Sequence, residues 1–346
     1  MIKPLKPLNI IYLISSWLSI SMIFIIGEVV IRFGVFSSIV IVCAFMLAFC
    51  ASFLLQKLTK SPAFAIKKQS IAGRIIRSVR ILEVYVLHLF VSGLIFHSLF
   101  QINIYISVFS TAATFLILAS FLPNKKNWKQ MIKEAKFTII SGLAIILPTY
   151  IYLQKGLESL YHNLLYYQPQ VLNHDAESLR LLWLIAFFIF FAKLLWQGDV
   201  IVKYTNPSFK KGISKLLIAV FIFSTFLLAF ATMNVVAITQ NLEYSHANEL
   251  FILLIKKLSP SLMFKMFCFV VYVGTLILFI DTLPQKVGER KSKTPFVLLL
   301  IAALMTVTVF HHYSLLLIYT FFGLLIGILV MVATATEVIR NIMSRK

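Results

Sequence analysis

Ten predominantly apolar stretches, each about as long as a membrane span, follow one another along the chain. They lie near 8–27, 34–56, 81–100, 103–122, 137–154, 180–197, 214–238, 262–281, 295–311 and 313–335. A helix needs about 20 such residues to cross the hydrocarbon core of a bilayer. Inside lipid every backbone N–H and C=O must be satisfied by the chain itself, which admits only helices and closed barrels. The apolar residues run continuously instead of alternating, so the stretches read as helices and not as barrel strands. With 60% hydrophobic residues over 346 positions and a mean hydropathy of +0.94, a water-soluble fold is excluded. The expected fold class is therefore all-α: a polytopic membrane protein and a single transmembrane domain. Lys3 and Lys6 precede the first apolar run in the manner of a signal peptide, but no small-residue cleavage site follows it, so a retained helix is expected.

The net charge of +20 invites a nucleic-acid reading, but its distribution argues for a membrane topology instead. If the N-terminus is cytoplasmic, the inside segments hold 25 of the 32 basic residues and the outside segments hold only Arg32, Lys155, Arg180, Lys256 and Lys257. Such alternation, kept at every loop, obeys the positive-inside rule and places both termini in the cytoplasm. The expected location is the cell (inner) membrane, where the basic loops need no partner beyond anionic headgroups. No soluble basic domain exists to carry nucleic acid. Cys43, Cys50 and Cys268 fall inside predicted spans without metal-ligand spacing, and neither a metal nor a cofactor is expected.

The segment 155–179 divides the spans five and five, with repeats of about 8–154 and about 180–335. An odd number per half requires the halves, if they share a fold, to be inverted in the membrane. One motif supports this. Gly27-Glu28-Val29-Val30-Ile31-Arg32-Phe33 and Gly198-Asp199-Val200-Ile201-Val202-Lys203-Tyr204 match by identity or conservative replacement at every position, and each ends the first helix of its half. A glycine beside a carboxylate at membrane depth is what a broken helix would use, because half-helix ends leave N–H and C=O groups free for a substrate or ion. Breaks are expected at Gly27 and Gly198.

Upstream of Gly27 lie Ser15, Ser16, Ser19 and Ser21, whose hydroxyls can replace helix hydrogen bonds, although serines in apolar helices more often bond back to a carbonyl. Upstream of Gly198 lie Lys193, Trp196 and Gln197. An intramembrane lysine usually faces a cavity or a partner, whereas Trp196 also fits an interfacial anchor. Glu83, His97, Lys265, Tyr272, Thr275 and Asp281 are further polar residues within spans. Lys265 reads as snorkelling and His97 as a packing residue. His311 and His312 are adjacent in a short turn, a poor metal geometry. Gly323-x-x-x-Gly327 reads as a close-packing face of the last helix.

Together, the five-plus-five plan, Ile26-Gly27-Glu28-Val29 followed by Arg32-Phe33-Gly34, and Gln197-Gly198-Asp199-Val200 followed by Asn206-Pro207 resemble the LeuT-fold transporters. Within them the chain is most similar to the amino acid–polyamine–organocation superfamily and its small bacterial YkvI-like members. Leu258-Ser259-Pro260 and Gly288-Glu289-Arg290 flank the eighth span in the same way. The family's glycine-rich first helix is replaced here by Ser19-Ile20-Ser21-Met22-Ile23-Phe24, and an acidic partner for Arg32 in the last span is missing. The resemblance implies a secondary transporter, a symporter of an amino acid or other small organic amine, working by alternating access coupled to H⁺ or Na⁺. Its solute and ion site would lie between the first and sixth spans. Ser19, Ser21, Gly27 and Glu28 stand on one side, and Lys193, Trp196, Gln197, Gly198 and Asp199 on the other. A solute-sensing receptor subunit of the B-type spore-germination kind shares the ten-helix plan and stays open. A membrane-embedded transferase would need a nucleophile–base pair; none is found, and the chain is not read as an enzyme.

Overall fold

The computed structural model describes residues 10–58, 70–121, 128–167, 169, 172, 175–197, 209–240, 242, 247–282, 294–309 and 314–343. Among these, the regular elements are helices: α1 (Ile10–Trp17), α2 (Ser21–Phe33), α3 (Ser37–Leu58), α4 (Ile71–Phe100), α5 (Ile104–Phe121), α6 (Trp128–Lys155) and α7 (Leu157–Tyr167). They continue with α8 (Ala176–Trp196), α9 (Phe209–Thr239), α10 (Leu250–Leu258), α11 (Ser261–Thr282), α12 (Thr294–Val309) and α13 (Leu315–Met343). Seven are long and apolar enough to cross a membrane. The pair α1–α2 passes the same test as one span bent by 55°, and α5 and α12 supply shorter apolar helices, Ile104–Ala119 and Phe296–Val309. Each of the ten apolar stretches thus finds a helix. The short helices α7 and α10, in segments read as connections, were not anticipated.

Lipid is the solvent these surfaces suit. Ile106, Ile117, Ile145, Ile146, Phe221, Phe269 and Phe321 are all exposed, a density of outward apolar side chains that water would not tolerate. Hydroxyls inside the helices mostly bond back to the preceding turn, as Ser52 does to Phe49 O and Thr306 to Ala302 O. These serines and threonines are therefore packing residues, satisfied without any ligand.

Packing sorts the helices into two groups. In one, α3 lies along α8, and α9 packs on α1, α2 and α3. In the other, α4, α5, α11 and α12 pack on one another. Helix α6 spans the groups by touching α1 and α11, and α13 does so by touching α8 and α4. Helix α4 is central, with 67% of its most apolar window buried, and it is also the span that brings the most charge inside. Gly323 and Gly327 do form a close-packing face. A Cβ on Gly323 would lie 2.8 Å from the Ile189 side chain, and one on Gly327 would lie 2.3 Å from Phe188. Both neighbours belong to α8, so these glycines let α13 and α8 approach.

The break in the first span is displaced from its expected place. It falls at Leu18–Ile20, and Gly27 sits within the continuous helix α2. Gly27 is small because Asn234 of α9 abuts it: a Cβ there would lie 2.3 Å from Asn234 Oδ1. Asn234 Nδ2 donates to Phe230 O at 2.9 Å in its own helix. Glycine at this position serves close approach rather than unwinding.

Candidate functional site

The interruption in the first span is held by hydroxyls and an imidazole. After α1 ends at Trp17, Ser19 Oγ lies 2.7 Å from Ser21 Oγ and 3.0 Å from Nε2 of His88 on α4. The His88 Nδ1 is 2.6 Å from the Val84 carbonyl. A carbonyl can only accept, so Nδ1 carries a proton, and in the neutral form of the ring Nε2 is the acceptor for Ser19. Helix α2 then begins at Ser21 with no side-chain cap from Ile20; the N–H groups of Met22 and Ile23 donate instead to the carbonyls of Ser19 and Ile20, at 3.2 and 3.1 Å.

This break borders a cavity of about 560 Å³. Its walls come from α1 and the break (Ser16, Trp17, Ser19, Ser21), from α4 (Arg77, Arg80, Glu83, His88), and from the end of α8 (Lys193, Trp196, Gln197). Lys136 of α6, Asp281 of α11 and Tyr319 of α13 complete the polar lining. An aromatic wall stands opposite, where the ring centroids of Trp17 and Phe45 are 5.5 Å apart and those of Phe45 and Phe223 are 4.5 Å apart. Phe190 joins it at 5.3 Å from Phe45. The mouth lies where α4 and α6 begin and α8 and α11 finish, for Arg77 is exposed there while His88 is 1% exposed. Eleven residues of α4 separate these two, so the cavity runs about 16 Å along the helix axis at ~1.5 Å per residue.

Two polar couplings tie its walls. Trp17 Nε1 donates to Gln197 Oε1 at 2.8 Å, joining the end of α1 to the end of α8. Lys193 Nζ donates to Glu83 Oε1 at 2.7 Å and lies 4.2 Å from the centroid of the Tyr319 ring. The intramembrane lysine thus has both a partner and a cavity. Of the expected site residues, Ser19, Ser21, Lys193, Trp196 and Gln197 share this one space. Gly198 and Asp199 lie outside the described residues.

Gly27 and Glu28 do not belong to it. Glu28 is fully buried, seven residues further along α2 than Ser21, where it accepts from Leu316 N at 2.9 Å at the start of α13. Its Oε1 lies 2.8 Å from Arg32 Nη2, so the acidic partner of Arg32 is found one turn back in its own helix. With its amide turned to satisfy both neighbours, Asn248 donates to Glu28 Oε2 at 3.0 Å and accepts from Leu315 N at 3.3 Å. The carboxylate is spent on sealing α2 against the N-terminus of α13, whose free N–H groups favour a negative partner.

Sequence reasoning missed Arg77, Arg80, His88, Lys136 and Tyr319, and read Glu83 and Asp281 only as scattered polar residues. The available signal was helical spacing. Arg77, Arg80, Val84, Leu87 and His88 recur at three- and four-residue steps, which is one face of α4. No group of three or more His, Cys, Asp or Glu residues that could hold a metal occurs among the described residues. No protein-family model matches the chain, and no curated protein matches it.

Proposed function

We propose that the chain is a secondary transporter that moves a small polar solute across a cell membrane by alternating access. The observation that carries this is a cavity lined by charged side chains of α4, α6, α8 and α11 that reaches a helix break inside an otherwise apolar bundle. Irregular backbone at membrane depth is tolerated where it lines a cavity, and broken helices there are characteristic of transporter binding sites. About 16 Å of depth reaches roughly half of a ~30 Å hydrocarbon core. Beyond the floor, α2 is buried from Ile23 to Val30 and latched to α13 through Glu28. These features support a site open on one side and closed on the other, as one end state of alternating access requires.

On this reading all ten apolar segments cross the membrane and the halves form a five-plus-five inverted repeat. The packing supports it. The pairs α1/α2 with α9 and α3 with α8 exchange when the halves are exchanged, as do α6 with α1 and α13 with α8, and also α6 with α11 and α13 with α4. The mouth then faces the cytoplasm, because Arg77 and Arg80 belong to the basic inside loops. The amino acid–polyamine–organocation plan accounts for these features without an enzymatic centre or cofactor. The transported solute is driven by H⁺ or Na⁺. Uptake into proteoliposomes under an imposed ion gradient tests the reading, with Lys193→Ala and Trp196→Ala expected to lose most transport. Wild-type uptake in both variants would rule out this site. Binding without uptake would point to a sensor on the same fold.

A further inference from the structure

We infer that the solute held in this cavity is a small organic oxyanion, bound through Arg80 and Lys136. This rests on the transporter reading for its purpose, although the charge argument stands on the cavity alone. Among the described residues its lining holds four cations, Arg77, Arg80, Lys136 and Lys193, against two acids, Glu83 and Asp281. Glu83 is committed to Lys193 at 2.7 Å. That leaves Asp281 facing three cations. No ion pair within 4 Å joins it to Arg80 or Lys136 among the described residues, and its buried Oδ1 has no hydrogen-bond partner. Lys136 is 6% exposed, so water does little to screen it. A poorly screened excess of positive charge is costly until an anion enters.

Two further observations point the same way. The start of α2, which has no side-chain cap, borders the cavity at Ser21 and Met22, and the positive end of a helix dipole favours negative charge. The aromatic wall of Trp17, Phe45, Phe190 and Phe223 calls for a ligand with an apolar body, not a bare inorganic ion. Aromatic faces also attract amines, but an amine would have to sit among three uncommitted cations. Arg77, exposed at the mouth, raises the local concentration of anions entering from that side. The carboxylate or phosphate head lies between Arg80 and Lys136, with Asp281 limiting how tightly it is held.

Thermal shift on the detergent-purified full chain, at constant ionic strength, tests this with succinate and glycerol 3-phosphate as probes against succinamide and putrescine. At least one oxyanion is expected to raise the melting temperature, and preference between the two assigns the head group. Arg80→Gln and Lys136→Gln each weaken that binding about tenfold or more, as loss of a close opposite charge in a poorly screened site should. Asp281→Asn is expected to tighten it severalfold, which keeps the test decisive if the cation variants fold poorly. Stabilisation by putrescine or succinamide alone, no stabilisation by either oxyanion, or weaker binding in Asp281→Asn would each overturn the inference. Proteoliposome uptake separates the two readings. Transport of a neutral or cationic solute removes the anion and leaves the transporter, whereas anion binding without uptake removes the transporter and leaves the anion site.

Discussion

Replacing Glu28 isolates the latch between α2 and α13. In Glu28→Ala the Leu316 N–H loses its acceptor at a buried helix start, a penalty of about 1–3 kcal/mol. The side-chain volume is lost from a site with no exposure. Loss of the Arg32 ion pair adds at most ~1 kcal/mol, because the Arg32 side chain is 51% exposed and can turn to water. Together these give roughly 2–4 kcal/mol. Glu28→Gln keeps an acceptor of the same reach and forfeits only the charge opposite the helix N-terminus, about 1 kcal/mol. Arg32→Gln costs ~1 kcal/mol or less, since Glu28 keeps Leu316 N–H and Asn248 as partners. At about 2 °C per kcal/mol for a large domain, the alanine variant melts ~4–8 °C lower. Detergent thermostability followed by size-exclusion chromatography measures the series. An Arg32→Gln loss equal to that of Glu28→Ala, or an alanine variant within a degree of wild type, would refute the burial argument.

Four further outcomes are expected. Gly27→Ala forces Asn234 aside and costs about 1–3 kcal/mol by overpacking; the melting temperature should recover in the double variant with Asn234→Ala, and additive losses would count against the contact. Lys193→Met leaves Glu83, 5% exposed, as an unpaired acid and destabilises by about 2–3 kcal/mol, less than for a wholly buried pair because Lys193 is partly exposed. The double variant with Glu83→Gln should be more stable than Lys193→Met alone. Trp196→Cys, with the three native cysteines replaced, should react with a membrane-impermeant maleimide in inside-out vesicles and not in right-side-out ones, and the reverse would invert the proposed topology. Outside the spans, Ser178 Oγ–H and the N–H groups of Glu177 and Ser178 donate to Asp175 at the start of α8 and hold its carboxyl below the usual range. A lowered value means stability that is present above the unfolded pKa and lost as pH falls through the folded one. Asp175→Ala should therefore melt lower than wild type at pH 7, with the gap closing below about pH 4.

Hydropathy and length are local properties, and through them the sequence alone determined that the chain is helical, that it is built for lipid, and where each apolar segment lies. No other solvent suits the apolar side chains those helices turn outward. It also brought Lys193, Trp196, Gln197, Ser19 and Ser21 to notice, because a polar side chain in an apolar run is conspicuous whatever surrounds it. What Gly27 and Glu28 do was decided only in three dimensions. Their spacing is equally that of a broken helix and of a tight contact, and it is Asn234, 207 positions away, and the start of α13 that make it the latter. The cavity is likewise a tertiary fact. Arg80, His88, Lys136 and Asp281 come from three helices, and each alone looks like a basic loop end, a packing histidine or a solvated terminus. Only packing α11 against both α4 and α6 turns them into one poorly screened site, where the sign of the unpaired charge gains chemical meaning.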